Sequence, residues 1–167
     1  MKKAPSIFDK NGELKINIHK TIKLFVYGTL KRNERLNGYL AGDTSKFIQE
    51  DKIKGGLYSA GLSKRALKNK RKKTQEQLVL ADNQVAYPIM TEGEQLTPGE
   101  IWETDEITYQ VIKAMEMGAG YTTKTKKTES GKMVNIFIYE GQNAEYIKEN
   151  NIKIKQWQYD IKKIKKK

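Results

Sequence analysis

One short run of this chain has the residue types to hold an anion: Lys23-Leu24-Phe25-Val26-Tyr27-Gly28-Thr29-Leu30. Leu24 to Tyr27 form an apolar stretch suited to a buried strand, and it breaks at Gly28 and Thr29. Glycine at the break allows a positive φ and close backbone approach, so the turning chain can aim several N–H groups at one point. Such a concave set of amides holds a carboxylate or an oxyanion with no charged side chain. A tight turn after an ordinary core strand is the simpler reading of the same residues. Other reactive groups are few. There is no cysteine, so neither a thiolate nucleophile nor a disulfide framework is available. His19 is the only histidine, and one imidazole is a poor basis for a metal cluster or a triad. Glu100 and Glu103 lie three apart in a strand-like run, so they face opposite sides and do not form a dyad.

The elements that must carry these groups follow from periodicity and punctuation. Strands are predicted near 22–27, 46–58, 85–90, 99–104, 121–128 and 133–139. Helices are predicted at 105–117 and 143–150, with Asp105 and Asn143 as N-caps, and a short helix or loop at Asn33 to Leu40. Asn11-Gly12 marks a hairpin in residues 1–20, and Ser130-Gly131 marks another between the last two long strands. Many strands, few helices and no alternating βαβ rhythm indicate an α+β fold with a mixed sheet or small barrel.

A length of 167 residues suits a single domain, 1–167, and fifteen aromatic residues argue against global disorder. Met1-Lys2-Lys3 is followed by Asp9, Lys10 and Asn11 rather than by an apolar stretch. No run approaches the roughly 18 apolar residues of a membrane span. The reading is a soluble, cytoplasmic protein with no membrane partner.

The net charge of +12 is concentrated in two places. Leu62 to Lys73 contributes +7 and Lys148 to Lys167 contributes +6, which leaves the remaining body close to neutral. The first block opens an insertion, 62–85, whose residues 64–73 could grip phosphates of nucleic acid or an acidic partner. No aromatic residues are interleaved with those bases, so a solvated surface excursion is the simpler reading. In the basic C-terminal tail, 148–167, Ile152 and Ile154 alternate as in a short strand, and Trp157 is placed to anchor it.

The strand ending Val26-Tyr27-Gly28-Thr29-Leu30 resembles the opening of the gamma-glutamylcyclotransferase-like (AIG2-like) family. Further segments are similar to that family in the same order: Ile53-Lys54-Gly55-Gly56-Leu57-Tyr58, Ala86-Tyr87-Pro88, and Pro98-Gly99-Glu100-Ile101-Trp102-Glu103. Ile112 to Glu116 with Gly118, Gly120 and Tyr121, and then Phe137-Ile138-Tyr139, complete the set over roughly residues 22 to 140. The resemblance implies a small, partly open β-barrel with outer helices. It also implies a cofactor-independent, metal-free reaction of acyltransferase or lyase type. In that reaction the α-amine of a γ-glutamyl amine or peptide attacks its own γ-carbonyl, closes a 5-oxoproline ring and releases the amine or amino acid. Ring closure has a high effective molarity, so the protein need only fold the substrate and move protons.

Glu116 matches the family's acid–base glutamate. Tyr27, Gly28, Thr29 and Leu30 match its opening motif, and with Tyr121 and Tyr139 they are the expected substrate-binding residues. The chain departs from the pattern twice: Lys113 replaces an aspartate, and Thr123, followed by Lys124, replaces an arginine.

Local physics is divided over Glu116. Ile107, Val111, Ala114 and Met115 form an apolar helical stripe, and Glu116 lies about 180° from Ile107 at 100° per residue, which would leave it in solvent. Against that, Gly118 and Gly120 close the helix behind it, where the helix dipole disfavours negative charge, and Tyr109 and Ile112 share its face. Desolvation and dipole together would raise its pKa. The competing function is a non-catalytic module of the same fold that contacts nucleic acid or an acidic partner through its basic segments.

Overall fold

The computed structural model describes residues 10, 11, 13, 20–34, 36–63 and 87–157. Gly12 of the first hairpin, His19, the 64–73 block with the rest of the insertion to Val85, and the tail beyond Trp157 lie outside the described residues. The element order is β1 (Thr21–Val26), β2 (Ser45–Ser63), β3 (Tyr87–Asp105), α1 (Glu106–Gly118), β4 (Thr122–Lys127), β5 (Met133–Ile138), α2 (Gly141–Asn150) and β6 (Asn151–Ile154). A single 3-10 turn at Asn37–Tyr39 occupies the Asn33 to Leu40 connection. The two strands expected at 85–90 and 99–104 are one. Its first half pairs with Gly56–Ala60 and its second with Ser45–Lys54, across a register shift between Lys54 and Gly56.

The six strands form one sheet in the order β4-β5-β1-β3-β2-β6. β1 runs parallel to β5 and antiparallel to β3, so the sheet is mixed and the fold is α+β. The sheet stays open, which corrects the barrel expected from the resemblance: β4 and β6 are its edges. β4 carries Lys124, Lys126 and Lys127 and β6 has only four residues, two features that discourage edge pairing. Glu129 in the β4–β5 turn donates its N–H to Lys52 O of β2 at 2.8 Å, a contact between strands that are not neighbours in the sheet order.

Alternation along the strands builds two apolar layers. Leu24 and Val26 of β1, Trp102 of β3 and Phe137 of β5 face the helices with Tyr109, Ile112, Ala144 and Ile147. Phe25, Ile101, Ile136 and Ile138 point the other way and pack with Ile53, Leu57 and Trp157. Trp157, the last described residue, is buried, and Lys31 Nζ donates to its carbonyl at 2.5 Å.

α1 starts where predicted, with Asp105 as N-cap accepting from the Thr108 N–H at 2.6 Å. Its buried face is not the expected one. Ile107 and Val111 are 46% and 51% exposed, whereas Tyr109 and Ile112 are buried. The tyrosine stacks on Phe137 at 6.1 Å between centroids, and this larger aromatic contact fixes the rotation of the helix. α2 begins at Gly141 behind Glu140, two residues before the expected cap Asn143. Gly141 holds a φ of +60°, which sets the helix start through the backbone instead of a side-chain cap.

Candidate active site

Once α1 is turned by Tyr109 and Ile112, Glu116 comes to the same inward face, four residues beyond Ile112 and one turn from the helix end. The helix then closes with a two-bond C-terminal motif. Tyr121 donates its N–H to Glu116 O at 3.1 Å, and Gly120 donates to Met117 O at 3.1 Å. Gly120 has a φ of +96°, and a Cβ there would also lie 3.1 Å from Tyr139 Oη, so both conformation and space require glycine. Partly buried against this cap, the Glu116 carboxyl is pushed up to about 7 by desolvation.

Three expected tyrosines lie within electrostatic reach of it. The charge of Glu116 contributes to raising the hydroxyls of Tyr27, Tyr121 and Tyr139, behind the larger effect of burial in each case. Tyr121 donates its hydroxyl to Pro88 O at 2.7 Å and meets Tyr139 edge-on at 4.8 Å. Tyr139 donates to Ala119 O at 2.6 Å, and its hydroxyl is raised to about 12, first by burial and then by the neighbouring Tyr87. Tyr27 is the most enclosed of the three. It donates to Phe137 O at 2.6 Å and accepts from the Met90 N–H at 3.3 Å. Its hydroxyl therefore ties β1 to β5 and β3.

The strand end beside Tyr27 turns sharply, and its carbonyls are taken up by donors of the following loop. Lys31 N–H closes a turn onto Gly28 O at 3.0 Å, Leu36 N–H donates to Thr29 O at 2.8 Å, and Asn37 Nδ2 donates to Leu30 O at 2.9 Å. The carbonyls are thus drawn into the protein. Among the described residues, the N–H groups of Gly28, Thr29 and Leu30 donate to no other protein atom. Gly28 is needed for a different reason from the one expected. Its φ lies outside the positive region, but a Cβ would sit 2.1 Å from Pro88 Cγ. Pro88 therefore touches both halves of the site, through its ring to Gly28 and its carbonyl to Tyr121.

The sequence reading missed a third component. Glu100 is buried and accepts Arg32 N–H and Trp102 Nε1, each at 3.0 Å, and Arg32 Nε at 3.1 Å. Arg32 lies over the Phe47 ring at 3.6 Å and also pairs with Glu50. Glu100 and Glu103 do face opposite sides, as predicted; the signal was the arginine two residues beyond Leu30. Of the departures, Lys113 is partly buried on α1 and Thr123 is exposed on β4. Lys124 is held by Glu92 at 2.8 Å and Glu140 at 2.6 Å, which raise its pKa. A cavity of about 630 Å³ runs along α2 from Glu92 and Glu140 to Tyr146, and reaches the tyrosine group only at Tyr139.

Residues 24–159 match the model of the family described as gamma-glutamyl cyclotransferase, AIG2-like. A Pyrococcus horikoshii protein provisionally named a gamma-glutamylcyclotransferase is 29% identical over 122 residues, covering 72% of this chain and 79% of that one. The crystal structure of that protein superposes with a TM-score of 0.52 at 23% identity, covering 79% of this chain and 86% of the other. An AIG2-like protein from Mus musculus gives a TM-score of 0.54 at 13% identity, covering 85% and 90% of the two chains. The two superpositions establish a shared fold.

Proposed function

We propose, on the premise that this chain belongs to the gamma-glutamyl cyclotransferase, AIG2-like family, that it cyclises a γ-glutamyl amine or γ-glutamyl peptide to 5-oxoproline. The observation that carries the reading is the partly buried Glu116, raised to about 7 beside Tyr27 at the end of β1. A carboxyl group poised there is ionised often enough to accept a proton near neutral pH and acidic enough to return it. As the α-nitrogen of the substrate bonds to the γ-carbon, Glu116 takes a proton from that nitrogen. It then delivers a proton to the departing nitrogen as the original C–N bond breaks.

The Gly28, Thr29 and Leu30 amides serve as the anion cradle, for the glutamyl carboxylate or for the oxygen that gains charge during attack. In this reading Tyr121 and Tyr139, which meet edge-on, line the bound substrate. Tyr27 acts from behind, by holding the strand end. The substrate supplies the nucleophile, and this step asks for no cofactor.

Incubation with a panel of γ-glutamyl amines and γ-glutamyl dipeptides, with 5-oxoproline read by mass spectrometry, tests the reading. Turnover by the native protein and its loss in Glu116→Gln, with an unchanged circular dichroism spectrum, are the expected results. Failure of every γ-glutamyl compound to yield 5-oxoproline would overturn it.

A further inference from the structure

The cradle residues lie on a turn, and an unsupported turn would not hold three amides in one geometry. Two contacts bracket it. At one end, Gly28 is pressed against the Pro88 ring. At the other, the chain is caught at Arg32, where the buried Glu100 carboxylate accepts the backbone N–H at 3.0 Å and the side-chain Nε at 3.1 Å. Trp102 Nε1 donates to the same carboxylate oxygen as the Arg32 N–H, at 3.0 Å, and so fixes the carboxylate itself. The Arg32 side chain lies over Phe47 and also reaches Glu50 at 3.0 Å.

We infer that Glu100, held by Trp102 and gripping both the main chain and the side chain of Arg32, is a positioning residue that sets the geometry of the Gly28–Leu30 amide cradle. Three features of the network favour this role over that of an ordinary buried ion pair. The carboxylate binds a backbone N–H as well as the guanidinium, so it constrains the chain path two residues from Leu30. Every donor it meets is itself anchored in β3 or the cradle loop. Its strand, β3, also carries Pro88, so one element supports both ends of the turn. Charge-assisted hydrogen bonds of this kind are strong and directional, and a small displacement of oxyanion donors is costly to catalysis.

The inference rests on the proposed cyclotransferase reading for its kinetic readout and on hydrogen exchange for an independent one. Glu100→Leu, of similar size, removes all three acceptor bonds, whereas Glu100→Gln can keep the shared bond to Arg32 N–H and Trp102 Nε1. With a γ-glutamyl substrate, Glu100→Leu is expected to lose about 100-fold in kcat/KM, the scale of displaced oxyanion donors. Glu100→Gln should recover most of that loss, and in both the acid limb of the pH profile should stay where the native protein has it. In parallel, amide exchange of Leu36, which donates to Thr29 O at 2.8 Å, should accelerate about tenfold or more in Glu100→Leu and remain slow in Glu100→Gln.

If Glu100→Leu does not fold, Arg32→Ala replaces it; this variant loses the Nε bond and keeps the backbone N–H bond to Glu100, so smaller changes in the same direction are expected, about tenfold in kcat/KM and about threefold in Leu36 exchange. Leu36 exchange unchanged in these variants, or kcat/KM within twofold of native, would overturn the positioning role. Absence of any turnover by the native protein would instead overturn the cyclotransferase reading, and the exchange measurement would still decide the role of Glu100.

Discussion

Tyr121 holds Glu116 from behind: its N–H donates to Glu116 O at 3.1 Å, while its hydroxyl donates to Pro88 O at 2.7 Å. The end of α1, the start of β3 and, through the Pro88 ring, the end of β1 are thereby joined by one proline and one tyrosine. The proposed acid–base group and the proposed amide cradle are thus linked through Tyr121 and Pro88. These contacts can be perturbed separately.

Glu116→Gln should remove activity by at least about 100-fold, as expected when a general acid–base group is lost. In the native protein kcat/KM should fall as pH drops below about 7, where the raised carboxyl becomes protonated. Initial rates between pH 5 and 9 check both.

The same group has a stability signature. Its folded pKa of about 7 exceeds the ordinary value of 4.5, so the folded state binds the proton more tightly. Below 4.5 both states are protonated and there is no penalty. Stability is lost as pH rises from about 4.5 to about 7, on the order of 2 kcal/mol after screening is allowed for. Urea unfolding of Glu116→Gln should therefore show a gain over the native protein that is present at pH 8 and absent at pH 4.

Gly28→Ala should destabilise the fold by about 1–3 kcal/mol through the clash with Pro88, although its backbone conformation suits alanine. Pro88→Ala removes the Cγ that the new methyl would strike, so the double variant should recover part of the loss. A double-mutant cycle in urea measures the coupling, and strict additivity would rule out the contact as the cause.

Tyr121→Phe leaves Pro88 O without its buried donor and should cost about 1–3 kcal/mol. Because the Tyr121 N–H remains, the helix end should keep its geometry and Glu116 its raised pKa. A shifted acid limb in this variant would show that the hydroxyl, and not burial, governs the carboxyl.

Asp105→Ala should cost about 1 kcal/mol by removing the cap on Thr108 N–H, with little effect on kcat at 25 °C. Thermal unfolding alongside kinetics separates the two.

The amino-acid sequence by itself determined the local features of this protein. Asp105 before an apolar period specifies the start of α1, Ser130-Gly131 specifies the β4–β5 turn, and the run into Tyr27-Gly28 specifies a strand that ends in a sharp bend. Each depends on backbone chemistry within a few residues. Only the tertiary structure decided which face of α1 is buried. Ile107, Val111 and Ala114 form one helical stripe and Tyr109, Ile112 and Glu116 form another, and spacing cannot choose between two stripes of equal period. The choice is made by Phe137, which lies 28 residues on from Tyr109 in the chain yet stacks against it at 6.1 Å. That one contact turns Glu116 inward. Pro88 against Gly28, and Glu100 beneath Arg32, are long-range in the same way: they exist because β3 runs beside β1, a pairing that no local pattern in either strand encodes.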